Sequence, residues 1–158
     1  MKETKKMKKI LFVCHGNICR SPMAEFVFKN MVKEKGIEGD FLVESRATST
    51  EELGNPVYPP ARRELLRHGI TCEGKLAAQI SRGDAASFDL LVGMDDANIR
   101  NMKRMLGDGA ADKIYKLLDF ASGGEVADPW YTGDFSATWR DVNVGCRALL
   151  DKILKGEI

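Results

Sequence analysis

Cysteine is scarce in this chain. Four cysteines in 158 residues are too few for a disulfide scaffold and fit reduced, partly reactive thiols better. An excess of one charge is also missing. Lys+Arg 24 nearly cancels Asp+Glu 23, leaving a net charge of +1, which argues against a nucleic-acid binder with its usual basic surplus. No apolar run approaches the roughly 20 residues that cross a bilayer, so no membrane partner is expected. The basic start (Lys2, Lys5, Lys6, Lys8, Lys9) precedes only the short apolar stretch Ile10 to Val13. A secretory leader needs about 7–15 apolar residues, so a cytoplasmic location is expected. Internal repeats, low-complexity tracts and Pro/Gly/Ser linkers are absent as well. Hydrophobic residues at 44% exclude general disorder. The expectation is a flexible basic arm over residues 1–8 and a single domain over residues 9–158.

What is present alternates. Lys9 to Val13 reads as a fully buried strand because its apolar run is continuous. A glycine-containing loop follows. The next helix has Ser21 as N-cap, Pro22 at the first position, Ala24, Val27, Phe28 and Met31 at helical spacing, and Gly36 as its stop. Phe41 to Glu44 reads as a second strand. Ser49 to Pro60 reads as loop, punctuated by Gly54, Pro56 and Pro59. A helix over Pro60–His68, a strand over Phe88–Met94, a helix over Asp96–Leu106 capped by Asp95, a strand over Ile114–Leu118 and a helix over Ser136–Leu154 complete the pattern. Strands alternating with helices predict an α/β fold: a doubly wound four-stranded parallel sheet flanked by helices. Such sheets bind ligands beyond the carboxyl ends of their strands, at the switch point, and Cys14 ends the first strand.

The loop Cys14-His15-Gly16-Asn17-Ile18-Cys19-Arg20-Ser21 therefore carries the expected chemistry. Successive backbone N–H groups in a tight loop form an anion nest, and the helix N-terminus adds free N–H groups and a positive dipole end. Gly16 allows close backbone approach, and Asn17 tolerates the left-handed conformation such loops need. Arg20 offers a planar fork for two phosphate oxygens. Together they predict a cradle for a tetrahedral dianion. A free thiol titrates near pH 8.5, and helix N-termini or nearby Arg lower this to about 3.5–7.5. Cys14 is thus expected to be a nucleophile that needs no histidine base. The Walker pattern of a nucleotide-binding loop is not met. Cys14, His15 and Cys19 lack a second ligand pair to complete a zinc set, so no metal and no cofactor are expected.

On Val13 to Glu25, on Asp128-Pro129-Trp130-Tyr131 and on Met94, Asp95 and Asn98, the chain resembles the low-molecular-weight protein tyrosine phosphatases, from about Lys8 onward. The resemblance implies a phosphocysteine on Cys14, phosphoryl binding by Arg20, and stabilisation of the thiolate by Ser21. It implies that Asn17 holds the loop, helped by Ser45 and His68, and that Asp128 is the general acid. Trp130 and Tyr131 would flank the aromatic ring of the substrate, the side chain of phosphotyrosine-containing proteins, with inorganic phosphate as product. An acid matters for this chemistry because tyrosine leaves with a pKa near 10, and Pro129 holds Asp128 extended. Ordinary packing for Trp130 and Tyr131, a strand-end hydroxyl for Ser45 and a helix-end donor for His68 are the plainer readings of those four residues. Cys19, the second thiol of the loop, suggests a protective disulfide with Cys14, which the resemblance also implies. Cys72 and Cys146 read as structural. Two rival activities occur on this fold. Arsenate reductases need further redox cysteines, and arginine phosphatases usually carry Thr where this chain has Ile18. A catalytically silent phosphotyrosine-binding module is the third alternative, and it would be expected to lack the nucleophile, the Arg or the acid.

Overall fold

Burial on both faces explains the first strand. In β1 (Lys8–Cys14), residues Ile10 to Val13 are fully buried. Ile10 and Phe12 point into one core with Phe28, Val43 and Leu149. Leu11 and Val13 point into a second core with Phe88, Leu91 and Met102. Neither face meets water, so the sequence is apolar throughout rather than alternating. The structure is a computed structural model and describes residues 7–158. Residues 1–6 of the expected arm lie outside the described residues, and Lys8 already opens β1.

The chain continues through α1 (Arg20–Glu34), β2 (Phe41–Ala47), α2 (Pro59–Arg67), α3 (Arg82–Ser87), β3 (Leu90–Gly93), α4 (Asp96–Leu106), β4 (Ile114–Lys116), α5 (Pro129–Thr132) and α6 (Phe135–Leu154). The four strands are parallel in the order β2-β1-β3-β4. The chain therefore leaves β1 for one neighbour and returns to the other. Cys14, paired with Ala47, stands at the carboxyl end of the strand where the winding reverses, as the doubly wound reading requires.

Several boundaries differ from the sequence-based expectation, each for a local reason. β2 runs on to Ala47, because Ser45 is fully buried with its hydroxyl engaged and so does not mark an end. β3 begins only at Leu90: the N–H of Phe88 still bonds the Asp84 carbonyl at the close of α3. That helix was not expected. Its signal was the reciprocal cap between Ser81 and Asp84, hidden by few apolar residues. β4 stops at Lys116 because Leu117–Phe120 tightens into a 3-10 turn. Ser21 is not the N-cap of α1. Cys19 occupies that place without a side-chain cap bond, and Ser21 spends its hydroxyl elsewhere.

α6 lies against that 3-10 turn, and Gly145 makes the approach possible. A Cβ at Gly145 would collide with the side chain of Leu117, itself fully buried. Alanine would gain about 1 kcal/mol in helix propensity, yet overpacking a tight core costs about 1–3 kcal/mol. Gly145→Ala is expected to lower the urea midpoint, and an unchanged or raised midpoint would show that the α6 contact is loose.

Candidate active site

The loop between β1 and α1 is held by one residue. Asn17 has φ +59°, the only positive φ outside glycine among the described residues, a conformation asparagine tolerates better than most. Its side-chain amide is fully used. Nδ2 donates to Ser21 Oγ at 2.8 Å and to Ser45 Oγ at 2.9 Å. Oδ1 accepts the N–H of Ala78 at 3.2 Å. Ser45 in turn donates to Glu25 Oε1 at 2.6 Å. Glu25 is buried, and Lys29 pairs with it at 2.6 Å. Lys75 Nζ stands 3.7 Å from Glu25 and donates to the Ser45 carbonyl at 2.8 Å. A buried carboxylate with two lysines thus anchors the amide that shapes the loop.

The same network fixes the proton on Ser21. Its oxygen already accepts from Asn17, so its O–H is free to donate. Cys14 Sγ lies 3.0 Å away, against 3.5 Å for the Arg46 carbonyl. The Asn17 backbone N–H also points at Sγ, at 3.3 Å. Two donors therefore converge on the sulfur and favour negative charge there.

Arg20 is buried and doubly tied. Nη1 donates to Asp95 Oδ2 at 2.7 Å and to the Val126 carbonyl at 3.3 Å. Nη2 reaches Asp128 Oδ2 at 3.4 Å. Burial works against its charge, but the Cys14 sulfur, Asp95 and Asp128 outweigh it and raise its pKa. Asp95 also caps α4, accepting the N–H of Asn98 at 2.8 Å. The cap was legible in the sequence. The tie to Arg20, across 75 residues, was not. Asp128 caps α5 through Oδ1, which accepts the N–H of Trp130 at 3.0 Å. Its other oxygen faces Arg20.

Cys14, Cys19, Arg20 and Asp128 line one cleft of about 410 Å³. His15, Gly16 and Ile18 line it too, as do Trp130 and Tyr131, which are 57% and 86% exposed. Tyr58 supports the rim from behind, with its ring 5.3 Å from that of Trp130. His15 is paired with Glu51 at 3.0 Å at the mouth, and Glu51 and Glu52 are lining residues that the sequence reading missed. Cys19 is a free thiol that burial, with its neighbours Cys14 and Asp128 adding to the effect, pushes up to about 12. Ser45 does join the Asn17 network. His68 does not. Its ring stacks on Trp139 at 3.6 Å and bonds Glu64 at 2.9 Å, because it ends α2 against α6. Lys75 and Glu25 stand where His68 was expected to help.

These features define an α/β protein in which a cysteine and a buried arginine line one cleft at the switch point. The family model of the low molecular weight phosphotyrosine protein phosphatases matches residues 9–157, and the chain belongs to that family. It is 39% identical over 152 residues to the low molecular weight protein-tyrosine-phosphatase YfkJ of Bacillus subtilis, covering 94% of this chain and 97% of that protein. It is 36% identical to PtpA of Staphylococcus aureus, covering 94% and 96% of the two chains. The crystal structure of YfkJ superposes with a TM-score of 0.92 at 38% identity, over 97% of this chain and 98% of that one.

Two substitutions separate the roles of Asn17. Asn17→Ala loses the amide bonds and keeps an unfavourable φ, while Asn17→Gly loses only the bonds. Lost hydrogen bonds to buried partners cost about 1–3 kcal/mol, and a left-handed alanine adds about 1 kcal/mol. Urea unfolding should rank wild type above Asn17→Gly above Asn17→Ala. Equal stability of the two variants would remove the backbone argument.

Proposed function

We propose that the protein hydrolyses phosphotyrosine in proteins, and small aryl phosphates, through a phosphocysteine intermediate. The observation that carries this is the convergence of the Asn17 N–H and the Ser21 hydroxyl on Cys14 Sγ, with Arg20 and Asp128 in the same cleft. In the first step Sγ attacks phosphorus and the bond to the tyrosine oxygen breaks. The Asp128 carboxyl passes its proton to that oxygen, avoiding release of a phenolate. Nη1 of Arg20 is committed to Asp95, so Nε and Nη2 hold two phosphoryl oxygens and offset the charge of the transition state. In the second step Asp128, now a carboxylate, takes a proton from water as that water attacks phosphorus. The S–P bond breaks, inorganic phosphate leaves, and the thiolate returns to its two donors.

Trp130 and Tyr131 line the cleft with exposed rings, which supports a role flanking the phenyl ring, and Ile18 offers an apolar contact that suits a ring better than a guanidinium. Arsenate reduction would need further thiols at the site. Among the described residues, Cys19 is the only other cysteine lining the cleft, and Cys146 is held in the core, its pKa raised by burial. The nucleophile, the Arg and the acid are all present, which disfavours a silent binding module. The four cysteines are free, which fits a reducing, cytoplasmic setting.

Cys14→Ser should abolish turnover of a phosphotyrosine peptide while leaving the circular dichroism spectrum unchanged. Asp128→Asn should slow phenyl phosphate by about 10²–10⁴-fold and slow esters of better leaving groups less. Equal slowing across leaving groups would refute the acid role. Under mild peroxide the Cys14 sulfur is expected to become a sulfenic acid, which Cys19 attacks with loss of water to form a disulfide. Peptide mapping should find Cys14 joined to Cys19. Sulfonic acid at Cys14 with Cys19 still free would contradict this.

A further inference from the structure

The segment that delivers Asp128 has no regular structure of its own. From Gly123 to Asp128 the chain forms neither helix nor strand, and Gly123 and Gly124 both have positive φ. Something outside the segment must set the position of the carboxyl. Val126 is tied to the residue that follows β3, its N–H bonding the Met94 carbonyl at 3.0 Å. The next residue is gripped from one helix. The Thr138 hydroxyl donates to the Ala127 carbonyl at 2.9 Å. The Asp141 carboxylate accepts the Ala127 N–H at 3.1 Å. Thr138 and Asp141 are three residues apart and share one face of α6.

The Thr138 contact is not an incidental helix bond. Thr138 is fully buried, and its alternative acceptor, the Asp134 carbonyl, lies farther off at 3.4 Å. That carbonyl already receives the N–H of Thr138. One hydroxyl proton therefore goes to Ala127. Both polar groups of the Ala127 residue are held by α6, and Asp128 follows directly. Neither Thr138 nor Asp141 is among the residues lining the cleft.

We infer that Thr138 and Asp141 are positioning residues: a two-point clamp on Ala127 that sets the reach of the Asp128 carboxyl toward the leaving oxygen. The inference rests on Asp128 being the general acid. Misplacement of a catalytic group by about 1 Å can cost on the order of 10²-fold, and the cost falls on substrates that need the proton.

The readout is the ratio of kcat/KM for phenyl phosphate to kcat/KM for p-nitrophenyl phosphate, whose leaving group needs less protonation. Unfolded protein cancels from this ratio, so a variant that is merely less stable leaves it unmoved. Thr138→Val and Asp141→Ala should each lower the ratio about tenfold. Thr138→Ser keeps the hydroxyl and Asp141→Asn keeps an acceptor oxygen, so both should restore it. Asp128→Asn should lower the ratio further, and adding Thr138→Val to it should change nothing more. If Asp128→Asn lowers the ratio while Thr138→Val and Asp141→Ala leave it at the wild-type value, the clamp is refuted and the acid role survives. If Asp128→Asn leaves it unchanged, the acid role itself is wrong and the clamp falls with it.

Discussion

The site depends on how one amide group is shared. The Asn17 side chain gives one proton to Ser21 and the other to Ser45, and its oxygen is occupied by Ala78. Because the amide cannot turn, the Ser21 hydroxyl has a defined direction, and that direction is toward Cys14. The positive φ at Asn17 turns its own N–H onto the same sulfur. Loop shape and sulfur environment are thus one constraint. Its cost is a buried carboxylate, Glu25, which Lys29 and Lys75 offset. Buried charge of this kind adds little to stability unless its geometry is good, and removing one partner is expensive.

A second set of charges keeps Arg20 ready. Its guanidinium is buried between the Asp95 and Asp128 carboxylates, so the fold itself sets its orientation. Asp95 comes from the end of β3 and Asp128 from the segment before α5. The cradle is therefore closed by elements far apart in the chain and brought together at the carboxyl end of a parallel sheet. Preorganisation of this kind lets fixed donors meet developing charge without rearranging.

Much of this was legible in the sequence, for physical reasons. The Lys9–Val13 run announced a strand covered on both faces, and the loop residues carried their own chemistry of glycine, asparagine and arginine. What escaped notice was whatever depends on long-range contact. Asp95 was readable as a cap because capping is local, but not as the partner of Arg20. Nothing local marks Glu25 as buried or Lys75 as its neighbour, and only the fold turns them inward. His68 was misplaced for the same reason, since nothing local says that its ring meets Trp139. Ser21 fits a cap in one dimension. In three dimensions its hydroxyl serves the thiol, and Cys19 takes the cap position without a side-chain bond.

In the proposed reaction the Cys14 sulfur accepts the phosphoryl group. Rapid quenching in acid during turnover of an aryl phosphate, followed by intact-mass and peptide-level mass spectrometry, tests it directly. The expected result is a transient adduct of one phosphoryl group on the peptide holding Cys14, formed no more slowly than the steady-state rate. Continued turnover with no such adduct, or with the phosphoryl group on another residue, would contradict it.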